Sequence, residues 1–304
     1  MVLRSMNSVP IHEHNGYSYL LDLACGHVVR HLTQTLQIIR GKHILIQSNI
    51  KNGQCTVRFE TWSEFSEFIV SEFIDYGHYV FRGQSDEKWP LEPSFDRLLK
   101  SINLKDDIDQ MAFRHLSTFM KAVRGRRGSN PPKIDNEDDW WALGQHHGLA
   151  TPLLDWSNSP FVASFFAFEG VRVEQESDVA VFALNVPAIV RKSDEIRIKG
   201  KTGKRPDHII FVSPFSDENP RLINQAGLFS RTPYLVNIES WIEKYFRASQ
   251  EAQLIKFVIS KQDKALAIKA LNRMNINHLS LFPDLSGASW FCNLSLGFKG
   301  YHFS

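Results

Sequence analysis

Apolar residues recur at helical spacing after Trp62: Phe65, Phe68, Ile69, Phe73 and Tyr76 would share one face of a helix. Thr61 or Ser63 can cap its start and Gly77 can end it. His78 to Phe81 then reads as an apolar strand that delivers Arg82 at its C-terminal edge. Ile108, Ala112, Leu116, Phe119 and Val123 mark a second amphipathic helix, and the carboxylates of Asp106 and Asp107 suit its N-terminus. Arg124 to Asn136, rich in Gly, Pro and charge, predicts a loop. Glu137 to Leu143 predicts a short helix, and Ser159-Pro160 supplies N-cap and first helical residue for a buried helix from Phe161 to Phe168. Asp178 to Val186, His208 to Val212 and Leu254 to Ile259 read as strands, and Asp263 can cap a helix from Lys264 to Met274.

Strands and helices interleave without a regular βαβ rhythm. That predicts an α+β domain, a mixed sheet core with packed helices, rather than a doubly wound sheet. The 304 residues suffice for a full core. Residues 1–57 read as a small β-rich prefix, with short apolar runs at Leu20–Ala24 and Ile44–Ile46 between glycines, and residues 58–304 as the main domain.

A formal charge of +2 advertises no global attraction to nucleic acid. Two local basic runs, one with Arg124, Arg126 and Arg127 and the other with Lys199, Lys201, Lys204 and Arg205, read as solvated loops rather than phosphate patches. Cys25, Cys55 and Cys292 are scattered, which argues against a disulfide framework and for a reducing compartment. With no signal-peptide core and no apolar run of about 18 residues, the expectation is a cytoplasmic protein without a membrane partner.

The chemistry concentrates between Gly144 and Ser157, where two glycines, two histidines, a carboxylate and an indole stand among apolar residues. Arg82 beside Gly83 can present a forked guanidinium to phosphates while the glycine admits a ligand to the backbone; a structural ion pair with Asp155 or Asp86 is the alternative. His146 and His147, read as extended chain, point to opposite faces, and no metal-ligand spacing accompanies them, so no metal is expected. Asp155, flanked by apolar residues, must be paired or catalytic. Trp156 is either core or a stacking platform, and Thr151 and Ser157 offer hydroxyls without a Gly-x-Ser-x-Gly elbow. Gly200 to Lys204 lacks the first glycine of a phosphate loop and reads as a hairpin turn. Gln225 to Phe229 reads as a loop laid over a ligand, with Gly227 as hinge and Phe229 able to stack, or as a helix C-cap with a packing Phe.

Phe81-Arg82-Gly83-Gln84, the Gln145–Ser157 segment with Leu153-Leu154-Asp155-Trp156, Gln225–Phe229 and Ser280–Leu285 occur in the order of the FRG domain family, which the chain resembles over about residues 61–285. It departs from that pattern at Ala150 and Pro152, where Pro and Arg are expected, and at Ser157, where Thr is expected. The order of parts also resembles the ADP-ribosyltransferase arrangement of Arg, a Ser/Thr-rich strand and a Gln/Glu-x-Glu loop. That resemblance implies NAD as substrate, with Arg82, Gly83, Gln84, His146, Thr151, Trp156, Ser157 and Phe229 around it and Asp155, His147 and Gln225 in catalysis. The final Glu is missing, since Gly227 stands two residues after Gln225, so Asp155 or Glu92 would supply the negative charge. The implied setting is a prokaryotic defence or toxin system, with a nucleic-acid or protein acceptor. A non-catalytic nucleotide- or nucleic-acid-binding module is the alternative, and a scaffold exposing Trp140-Trp141 a third reading.

Overall fold

A computed structural model describes residues 50–172, 174–200, 207–213, 227–298 and 301. Among them seven strands form one mixed sheet: β1 (Gln54–Phe59), β2 (Tyr79–Gln84), β3 (Leu153–Ser157), β4 (Val179–Asn185), β5 (Ile210–Val212), β6 (Gly227–Arg231) and β7 (Leu254–Ile259), in the order β1-β7-β4-β2-β3-β6-β5. Only the β1–β7 pair is parallel; the other neighbours run antiparallel. The domain is α+β. The expected prefix lies outside the described residues up to residue 49, and its border at residue 57 falls inside β1.

Helices cover both faces. α1 (Trp62–Phe68), capped by Thr61 through a bond from the Glu64 N–H at 3.1 Å, does not continue regularly to Tyr76. It widens into a π-helical turn at Ile69–Phe73. The wide turn keeps Phe68, Ile69 and Phe73 all buried, with the Phe73 ring centroid 5.0 Å from that of Tyr79 and 5.6 Å from that of Phe257. Along the same face lies α5 (Pro160–Glu169), whose N-cap Ser159 accepts from the Val162 N–H at 3.3 Å. The opposite face carries α6 (Val186–Lys199) and α7 (Ile238–Tyr245), whose Ile189, Trp241 and Ile242 pack with Val80, Leu154, Phe182 and Leu228.

At the other end of the sheet, α2 (Ser94–Ser101), α3 (Ile108–Ala122) and α4 (Glu137–His146) cluster through Phe95, Leu116 and Trp141 against Leu153, Val212 and Phe229. Trp141 is fully buried and Trp140 half-buried, with Arg127 over its ring 5.1 Å from the centroid, so at most Trp140 of this pair reaches the surface. α8 (Lys264–Arg273), α9 (His278–Leu281) and α10 (Leu285–Leu296) complete the C-terminal part. Asp263 does not cap α8 with its side chain; it accepts the Trp62 N–H instead, at 2.6 Å. The hairpin expected over 200–204 falls outside the described residues from 201 on, and the helix before it reaches Lys199.

The thiols differ in reactivity. Burial pushes the Cys55 thiol up to about 12, whereas Cys292 is exposed on α10. The thiolate is the nucleophile, so iodoacetamide at pH 8 should modify Cys292 well before Cys55. Peptide mass spectrometry reads this directly, and equal rates would show that β1 opens in solution.

Candidate functional site

The site begins as a break in the sheet. β2 pairs with β4 along all six residues, from Tyr79↔Asn185 to Gln84↔Ala180, but with β3 only at Phe81↔Ser157. Beyond that pair the strands part, and a cleft of about 710 Å³ opens between them, within the range of small-molecule sites. Strands that part leave backbone groups without ladder partners. Arg82 spans the gap: its Nη1 donates to the Asp155 carbonyl at 2.9 Å and meets the Asp155 carboxylate at 3.3 Å. Arg82 stands within β2 rather than at its end, because the β4 ladder carries the strand on to Gln84.

Asp155 is held from both sides. The buried Thr151 hydroxyl donates to Gln145 Oε1, and Gln145 Nε2 donates to Asp155 Oδ1 at 2.5 Å. Arg82 takes the other carboxylate oxygen, Oδ2. The carboxylate nonetheless remains 53% exposed and lines the cleft. Thr151 does not line the cleft itself; it acts from behind, through Gln145.

The helix that presents Gln145 runs longer than expected, to His146, and ends at Gly148 with φ of 85°, a left-handed turn suited to glycine. His146 and His147 therefore sit at a helix terminus and not on extended chain, with their rings in edge contact at 4.7 Å. His146 lines the cleft, while His147 is exposed and lies outside it. A catalytic role for His147 is not supported by that placement.

Gly83 also has a role beyond the one its sequence position suggests. A Cβ there would stand 1.8 Å from the Ala163 carbonyl oxygen and 2.7 Å from the Ala167 nitrogen. The glycine lets α5 lie against β2, and it lines the cleft as well. Gln84 is buried; its Nε2 donates to the Pro90 carbonyl at 3.2 Å, and its Oε1 finds no donor among the described residues.

Trp156 belongs to the core beside Val80 and Leu228, and its indole N–H donates to Ser230 Oγ at 2.8 Å, so it forms fixed wall rather than a stacking platform. Ser157 is buried, lines the cleft and accepts the Ser159 N–H at 3.0 Å. Gly227 to Arg231, expected as a loop, form β6 paired to β3, with Phe229 opposite Asp155. Phe229 lines the cleft but is 3% exposed and packed in the core, so it forms fixed wall rather than a mobile cover. Gln225 lies outside the described residues.

The sequence reading missed Arg97, Gln145 and Trp89. Arg97 comes from α2, whose start could have been read from Pro93-Ser94 ahead of Phe95, Leu98 and Leu99 at helical spacing. Its Nη1 donates to the Glu92 carbonyl at 2.6 Å. Burial and then the nearby charge of Arg82 lower the Arg97 pKa. Glu92, buried at the same wall, is paired with Lys100. With Glu92 neutralised, Arg82, Arg97 and Asp155 leave the cleft one positive charge in excess, an arrangement that attracts an anion.

Among the described residues no group of three or more His, Cys, Asp or Glu side chains converges as a metal site would require. No described helix is long and apolar enough to cross a membrane. Neither the curated proteins nor the solved structures contain a match to this chain. Residues 77–176, the stretch that carries Arg82, Arg97, Gln145 and Asp155, match the model of the FRG domain.

Proposed function

We propose that the cleft between β2 and β3 binds a nucleotide by its phosphates and that Asp155 serves ADP-ribosyl transfer from NAD. The observation that supports it is the pairing of two guanidinium groups, Arg82 and Arg97, with a half-exposed carboxylate held at both oxygens in one cleft. In such a transfer the bond from the ribose C1′ to the nicotinamide nitrogen breaks with its electron pair going to nitrogen. Nicotinamide leaves neutral, and the positive charge passes to the ribosyl centre. A fixed carboxylate stabilises that charge more than it stabilises the ground state. The acceptor then bonds to C1′ and releases its proton to solvent. The acceptor class, nucleic acid or protein, and a role in prokaryotic defence rest on family resemblance and form part of this proposal.

A second reading, binding without catalysis, is favoured by one observation: Asp155 already accepts from both Gln145 and Arg82, which spends part of its charge. Incubating the purified protein with NAD and following nicotinamide by chromatography separates the two. Release proportional to protein concentration supports transfer. NAD binding without release supports the second reading, and neither binding nor release contradicts both.

A further inference from the structure

We infer that Trp89 is the platform on which the base of the bound nucleotide stacks. This rests on the nucleotide reading of the cleft and names the part of the ligand that reading leaves unassigned.

Trp89 lines the same cleft as Arg82 and Arg97, yet it is 56% exposed and makes no aromatic contact with any described residue. Single exposed apolar side chains are ordinary on protein surfaces. What sets this one apart is the rigidity of its mount. The Trp89 N–H closes a turn on the Asp86 carbonyl at 3.1 Å, and the Lys88 N–H is held by the Asp86 carboxylate at 2.8 Å. On one side Glu87 is tied down by its N–H to the Asp178 carbonyl at 2.8 Å and by an ion pair with Arg58 at 2.6 Å. On the other, the Pro90 carbonyl is held by Gln84 from β2 at 3.2 Å. An indole held out by a fixed turn loses little conformational freedom when a ring settles on it.

The other aromatic groups near the cleft are not available in this way. Phe229 and Trp156 are almost completely buried, and Phe166 and Phe282 stack edge-on against each other with centroids 6.0 Å apart. Two guanidinium groups for phosphates and one rigid, unpartnered indole for a planar ring together match a nucleoside diphosphate unit. Base-on-aromatic stacking contributes enough that its removal reads as about a tenfold or greater loss of affinity.

Calorimetric titrations of ADP and of inorganic pyrophosphate into the wild type, Trp89→Leu and Trp89→Phe test this. Trp89→Leu is expected to weaken ADP about tenfold or more and to leave pyrophosphate unchanged, and Trp89→Phe to recover most of the ADP affinity. If Trp89→Leu binds ADP as the wild type does, the stacking role is wrong while the nucleotide reading stands. Equal weakening of ADP and pyrophosphate would overturn it as well, since the loss would then come from the phosphate side. A wild type that binds neither ligand overturns the nucleotide reading and this inference with it.

Discussion

Gly83→Ala is expected to lower stability by about 3 kcal/mol or more, at the top of the range for overpacking substitutions. The added Cβ would fall 1.8 Å from the Ala163 carbonyl oxygen, and both atoms it meets most closely belong to the α5 backbone. A clash with the tip of a side chain is relieved by a rotamer change; a clash with helix backbone requires the helix to move. α5 has little room to do so, because Val162, Phe165, Ala167 and Phe168 bury it nearly all round. Such a loss is a large share of the roughly 5–15 kcal/mol that holds a domain folded. Gly77→Ala is the matched control, since a Cβ there meets nothing within 4 Å, and its effect should stay within about 0.5 kcal/mol. Urea denaturation of the two variants gives the comparison. Equal stabilities would mean that α5 and β2 are not packed as described.

Asp155→Asn should cut nicotinamide release by about 100-fold or more, the scale for removing one charge-stabilising group from a transition state. The substitution keeps the shape; its single oxygen can accept from only one of Gln145 and Arg82, but Arg82 still donates to the backbone carbonyl of residue 155, so folding and the cleft walls should persist. NAD affinity should therefore change far less than turnover. That split distinguishes a group acting on the reacting centre from one that only holds Arg82 in place, which would lose both together. Single-turnover release and calorimetry on the same preparation provide the two numbers.

Much of the fold is legible in the sequence, because its elements announce themselves by period and cap. Leu254–Ile259, apolar except for Lys256, becomes an interior strand, and Ser159-Pro160 starts α5 as expected. What periodicity cannot show is where two strands fail to pair. The single Phe81↔Ser157 contact creates the cleft, yet the residues on either side look like any other strand. Likewise Gly83 reads as a glycine at the cleft, which it lines, but its packing against α5 is seen only in the structure. Arg82 and Asp155 stood out because each is a charge within an apolar strand. Arg97 did not, since an Arg on a short helix carries no such contrast, and its role arises only from proximity to Arg82. Phe229 lines the cleft, but on a strand rather than the loop that Gly227 suggests, because pairing with β3 runs across five residues.

Calorimetric titration of NAD into the wild type and into Arg82→Lys bears most directly on the claim that this cleft is the ligand site. Lysine keeps the charge but has no fork, so it cannot both span to Asp155 and grip a phosphate. The loss should be about 1.5–3 kcal/mol, or roughly 10- to 150-fold in Kd. Circular dichroism establishes that the variant is folded. A measurable wild-type affinity that falls by this factor in Arg82→Lys is the predicted result; the same affinity in both folded proteins would contradict it.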